Sequence, residues 1–171
     1  MLKLFILSFM ALLTFESNLF SKTINIDEIV KNTNKEVIVY LHKIGCSYCN
    51  SMEEFTLDDD AVKEYIQEHY KFISINVSLE DRIIYKGKET GGKCFAKDVG
   101  YAFYPAILFL DRDAKIKYVS LGYKDEFEFL VILKYVYEGF YKDISLDEFK
   151  EKEGFTKDTE SEITDKRKDA R

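Results

Sequence analysis

The chain has 171 residues, 46% of them hydrophobic, enough to bury one ordinary core and to form a single folded domain. Its formal net charge of −6 argues against nonspecific nucleic-acid binding and against attraction to an anionic membrane surface.

Residues 1–21 read as a secretory signal. Lys3 supplies a positive start, and residues 4–15 form an apolar stretch too short for a comfortable membrane span. Polar residues 16–18 follow, and Ser21 is a small residue suited to the cut. Export then implies a periplasmic or secreted protein with no stable membrane insertion once the signal is removed.

The folded part is expected over residues 22–154. Asp27 caps a short helix through residues 28–31, and a polar turn follows. The run Val37, Ile38, Val39, Tyr40 and Leu41 has no polar alternation and predicts a central strand buried on both faces. A helix is predicted over residues 47–56 with Met52 and Phe55 on one face. A second follows the capping signal of Asp58, Asp59 and Asp60. Residues 71–77 read as a strand parallel to the first, joined to it by a right-handed crossover.

Residues 78–93 form a charged connection, and residues 94–99 a short helix ending at Gly100. A strand at 106–111 turns through residues 111–114 into an antiparallel partner at 115–121. Asp125 with Glu128 starts a helix that Gly139 closes, with Phe129, Leu130, Leu133, Val136 and Tyr137 on its apolar face. A further short helix starts at Ser145. Residues 155–171 are almost wholly polar and read as a disordered tail.

Chemistry concentrates in Cys46-Ser47-Tyr48-Cys49, where a strand turns into a helix. At a helix N-terminus partial positive charge favours a thiolate at Cys46, and Cys49 lies one turn on, within reach of a disulfide. A purely structural disulfide rarely closes so small a loop, because the loop contributes little stability. The pair therefore reads as redox-active, with Cys94 left over as a buried small hydrophobe, an exposed thiol that forms a dimer or a redox partner to Cys46, burial or inertness being the expectation. His42, Cys46, Cys49 and Cys94 make a rival soft-metal set for copper or zinc, but no second Cys-x-x-Cys or His pair supports it. The stretch from Gly87 to Cys94 nearly matches a phosphate-binding loop, yet Cys94 stands where a magnesium-binding Ser or Thr belongs. His69 reads as an ordinary helix residue near the surface.

The sole proline, Pro105, stands immediately before the third core strand, and its bond to Tyr104 is a candidate cis peptide. Element order, Cys-x-x-Cys after the first core strand and this proline together resemble the thioredoxin fold over residues 36–139. That is an α/β fold with a central mixed sheet flanked by helices. The stretch from Cys46 to Glu53, then Leu57 to Val62, and Leu121-Gly122-Tyr123 are similar to exported thioredoxin-like proteins of the SoxW type.

The resemblance implies a thiol–disulfide oxidoreductase with Cys46 as nucleophile and Cys49 as resolving thiol. Tyr104 and Pro105 would lie against substrate. It implies no cofactor and no metal. Its partners would be protein or peptide disulfides and a membrane or soluble thiol electron donor, with no nucleic acid. Reduction of exported proteins' disulfides is the expected direction. The alternative is a non-catalytic thiol-bearing module on the same fold, a copper or zinc carrier or a chaperone. Cytosolic thioredoxins carry Trp-Cys-Gly-Pro-Cys-Lys where this chain has Gly45-Cys46-Ser47-Tyr48-Cys49-Asn50. They also bury an aspartate where this chain has Tyr40, so the resolving cysteine's proton acceptor is open between Glu53 and Tyr40.

Overall fold

The computed structural model describes residues 22–154, so the expected signal and tail lie outside the described residues. Its strands are β1 (Thr23–Asn25), β2 (Glu36–His42), β3 (Tyr70–Asn76), β4 (Arg82–Tyr85), β5 (Lys88–Gly91), β6 (Ala106–Leu110) and β7 (Ile116–Leu121). The helices are α1 (Ile26–Asn32), α2 (Ser47–Ser51), α3 (Asp60–His69), α4 (Gly92–Asp98), α5 (Glu126–Tyr137) and α6 (Leu146–Lys152). A π-helical turn, Met52–Thr56, prolongs α2, and a 3-10 turn, Phe140–Lys142, follows α5.

The central sheet has the order β3-β2-β6-β7, with β2 parallel to β3 and antiparallel to β6. Every residue from 37 to 41 is buried, as a strand covered on both faces requires. Side chains alternate across a strand. Val37, Val39 and Leu41 therefore pack with Ile26, Val30, Ile83 and Phe95 on one face. Ile38 and Tyr40 pack with Met52, Val62, Phe129 and Leu133 on the other.

A second sheet, β1-β4-β5, was not expected; residues 78–93 read as a connection only. Strands of three and four residues carry too little periodicity to register in sequence. The hairpin's own signal is Lys86-Gly87, both at positive φ (52° and 71°), which suits a tight two-residue turn. Asp27 does not cap α1. Asn25 does, accepting from the Glu28 N–H at 3.1 Å. The Asp27 carboxylate instead accepts from the amides of Lys86 and Gly87 at 2.7 and 2.8 Å, tying the hairpin turn to α1.

Two helical faces also differ from expectation. The π turn, closed by the Leu57 N–H on the Met52 carbonyl, rotates Phe55 outward and brings Thr56 inward beside Met52. Thr56 then donates to the Lys124 carbonyl at 2.5 Å. On α5 burial spreads beyond one stripe to Phe127, Val131, Ile132 and Tyr135, while Tyr137 is exposed. The reason is α6, started by a full Ser145–Glu148 capping box, whose Phe149 packs against the Tyr135 ring at 5.3 Å. Tyr135 also donates to the Ile144 carbonyl at 2.6 Å.

If α6 closes this core, Phe149→Ala lowers stability by about 3–5 kcal/mol, because a fully buried aromatic leaves a cavity. Urea unfolding followed by circular dichroism checks this, and a loss below about 1 kcal/mol contradicts a closing role.

Candidate functional site

β2 ends at His42, and the chain turns through Gly45, whose φ of +73° lies in the left-handed region that favours glycine. Cys46 follows as the N-cap of α2, its carbonyl accepting from the amides of Cys49 and Asn50 at 3.1 Å. Cys46 and Cys49 form a disulfide with an S–S distance of 2.13 Å. Both cysteines are buried. Cys46 is 7% exposed and Cys49 only 1%.

The Tyr104–Pro105 peptide bond is cis. It brings the Tyr104 carbonyl oxygen to 3.9 Å from Cys46 Sγ, so the two landmarks 58 residues apart in sequence meet in space. The Pro105 carbonyl is engaged by the Gly122 amide at 2.8 Å, which fixes the start of β6 against the end of β7. Lys43 stands over the Tyr104 ring at 5.7 Å. Around the disulfide three large apolar side chains are exposed: Ile44, Tyr48 and Phe103. Sequence reasoning passed over Ile44 and Phe103. Their signal was an apolar residue in each of the two loops that flank Cys46 and Pro105.

Beneath Cys49 lies a polar cluster. Tyr40 shares its hydroxyl between the Cys49 carbonyl at 3.2 Å and Glu53 Oε1 at 3.3 Å. His42 Nδ1 is 2.9 Å from the same carboxylate oxygen, and its Nε2 is 3.0 Å from the Ser74 hydroxyl. A neutral imidazole donating from Nδ1 and accepting at Nε2 satisfies both contacts. Its ring stacks on Tyr40 at 4.9 Å. Burial, and then the adjacent Glu53 charge, push the Tyr40 phenol far above its ordinary range, so it remains a hydroxyl. Burial also pulls His42 below its ordinary value, with Glu53 opposing.

In the metal set weighed from sequence, His42 bonds Glu53 and Ser74. Among the described residues no group of three or more His, Cys, Asp and Glu side chains is arranged to hold a metal ion. Cys94 is not buried as expected. It is exposed on α4, in a groove of about 560 Å³ that Lys43 and Tyr104 also line. The phosphate-loop stretch is the β4–β5 turn, β5 and the start of α4, and its Lys88 pairs with Asp98 at 2.6 Å. His69 ends α3, set between the rings of Tyr65 and Tyr137.

A four-stranded mixed sheet, a disulfide between residues three apart at a helix start and a cis-proline facing it define a thioredoxin-fold protein. The sequence profile described as a thioredoxin-like domain matches residues 25–137, and the chain belongs to that family. No curated protein sequence matches it. Among solved structures it is similar to a thioredoxin-fold protein from Helicobacter pylori, at 24% identity and a TM-score of 0.55 over 78% of this chain and 84% of that one. A thioredoxin from Thermus thermophilus shares 22% identity at a TM-score of 0.52, over 68% of this chain and 88% of that one. A DsbH oxidoreductase shares 11% at 0.51, over 66% and 79% respectively. Among the described residues no helix is long and apolar enough to cross a membrane.

The His42 environment has a pH consequence. Its folded pKa is depressed, so the unfolded chain binds more protons below about pH 6.5 and stability falls as pH falls through the folded value. The midpoint of thermal unfolding is therefore expected to drop more steeply between about pH 6.5 and 5 in the wild type than in His42→Gln. Parallel slopes in the two proteins contradict the assignment.

Proposed function

We propose that Cys46–Cys49 is the redox centre of a thiol–disulfide oxidoreductase that reduces or exchanges disulfides in exported proteins. The observation that carries this reading is the placement of the pair: a disulfide between residues three apart at a helix start, with Cys46 against the Tyr104 carbonyl beside Pro105 and the exposed Ile44, Tyr48 and Phe103 in the flanking segments. In the reduced protein Cys46 sits at the first turn of a helix, where negative charge is favoured. As thiolate it attacks a substrate disulfide, forms a mixed disulfide and releases one substrate thiol. Cys49 then attacks Cys46, which restores the 46–49 disulfide and frees the second substrate sulfur.

Tyr104 and Pro105 hold the substrate in this reading. The backbone at the start of β6 pairs with an extended segment, while Ile44, Tyr48 and Phe103 contact apolar side chains next to the substrate cysteine. Electrons return through a membrane or soluble thiol donor. Export rests on the charge-then-apolar order of residues 1–21, and the SoxW-type assignment on the stretch from Cys46 to Val62. The related DsbH structure carries the name oxidoreductase, consistent with the same chemistry.

In an insulin-reduction assay with dithiothreitol, the wild type is expected to accelerate precipitation and Cys46→Ala to match the uncatalysed rate. Cys49→Ser should still attack and accumulate a mixed disulfide visible on non-reducing gels. Equal rates for wild type and Cys46→Ala would sink the proposal. Equilibration with glutathione then sets the direction, with a potential near about −270 mV marking a reductant and near about −120 mV an oxidant.

A further inference from the structure

At the end of the sheet away from Cys46, the start of β2, the turn after β6, β7 and the 3-10 turn enclose a cavity of about 170 Å³. β2 runs from Glu36 to His42, so about 20 Å of strand separates this cavity from the disulfide. Lys35, Arg112, Lys117 and Lys142 line it, with Glu36 and Asp111 as the carboxylates. Four cations against two carboxylates reverse the balance of a chain whose net charge is −6. Each cation is held by a contact that leaves some of its donors unused. Lys35 donates to the Gln67 carbonyl, and Arg112 Nη2 to the Asn34 carbonyl at 3.4 Å. Lys142 stands 5.5 Å from the Tyr141 ring centroid, as Lys117 does. Lys117, its side chain only 11% exposed, also donates to Glu36 Oε1 at 2.5 Å. Asp111 is taken up by its own turn, where Oδ1 accepts from the amides of Asp113 and Lys115 at 2.9 and 2.8 Å. Glu36 is not: its Oε2 is buried and has no hydrogen-bond partner among the described residues.

We propose that this cavity binds inorganic phosphate and selects it over sulfate. The cations supply the charge for a small oxyanion, Arg112 as a fork of donors and the lysines as point charges. The volume sets the size. It lies below the roughly 300–1,000 Å³ of sites for drug-sized ligands, which suits one tetrahedral anion and not a nucleotide. Glu36 sets the kind. A carboxylate in the wall repels an anion that offers only acceptors, and sulfate offers only those at neutral pH. Inorganic phosphate keeps a proton there, so its hydroxyl donates to the Glu36 carboxylate while its other oxygens accept from Lys35, Arg112 and Lys142. A phosphate ester, with a second pKa of about 6, has lost that proton at neutral pH and is disfavoured on the same ground. Nothing in this assignment depends on the redox reading of Cys46 and Cys49.

The test titrates the oxidised full chain at neutral pH with sodium phosphate, sodium sulfate and phenyl phosphate in turn, at one ionic strength held with chloride, and follows the backbone amides by two-dimensional NMR. Phosphate is expected to shift residues 35–36, 111–112 and 141–142 saturably. It should bind about tenfold more tightly than sulfate or phenyl phosphate, the contribution of one charged hydrogen bond. Arg112→Ala, at an exposed turn position, should weaken phosphate about tenfold. Glu36→Gln puts an amide that donates as well as accepts in place of the carboxylate, and sulfate should then bind as tightly as phosphate. Equal binding of phosphate and sulfate by the wild type overturns the proposal, as do shifts that fail to saturate or that fall outside the cavity. Tighter binding of phenyl phosphate than of phosphate overturns the free anion as ligand. The wild-type comparison needs no variant, so a Glu36→Gln chain that fails to fold leaves the decisive measurement in place.

Discussion

The constraint on which the structure depends is the burial of β2 on both faces. Five consecutive side chains, residues 37–41, have no contact with water to lose, and each contributes about 1.5–3 kcal/mol by being there. Because side chains alternate, the strand serves two cores at once, and a slip of one residue would exchange every member of one core for the other. Tyr40 would then leave the face that carries α2, and the Cys49 carbonyl would lose its hydroxyl partner. The end of the same strand sets where Cys46 emerges. Register with β3 runs from Glu36 to His42 without a break, so the turn at Gly45 starts from a fixed point.

Much of this was legible because the physical signals were strong and local. An uninterrupted apolar run, two cysteines at the strand's end and a lone proline before another apolar run marked the sheet centre and the site. The Asp59 and Asp125 caps were equally plain. What escaped notice depended on tertiary partners. Asn25 and Asp27 are both good caps by type. Only the hairpin turn, whose amides claim Asp27, decides between them. Phe55 faces solvent because a π turn adds a residue to the helical count, and nothing local announces that. The apolar stripe of α5 understated its burial because α6, arriving later in the chain, covers the outer side. Cys94 as a type favours the core, but on a two-turn helix whose inner face is taken by Phe95 and Ala96 it is left outside.

The replacement of a buried aspartate by Tyr40 changes the electrostatics rather than removing them. A carboxylate held beneath the disulfide would carry a large desolvation cost, whereas a phenol brings a hydrogen bond without a charge. The negative charge enters from the helix instead, on Glu53, whose half-exposed position keeps much of its hydration. His42 is the counterpart: stacked on Tyr40 and held at both ring nitrogens, it is fixed in orientation while its burial favours the neutral form. Three side chains thus share the polar space beneath Cys49. The hydroxyl meets the backbone of Cys49, the carboxylate stays near water, and the imidazole steadies the carboxylate.

That division bears on how the two sulfurs differ. Both cysteines are buried, Cys46 slightly less than Cys49, and the segments that flank Cys46 and Pro105 carry the exposed Ile44, Tyr48 and Phe103. The Tyr104 carbonyl, 3.9 Å from Cys46 Sγ, puts backbone rather than a side chain against that sulfur. On one side Lys43 covers Tyr104, and the groove leading away from it carries Lys93 and Cys94. Within that groove the Glu80 carboxylate offsets part of the charge that Lys43 and Lys93 bring, so the border is mixed rather than uniformly cationic.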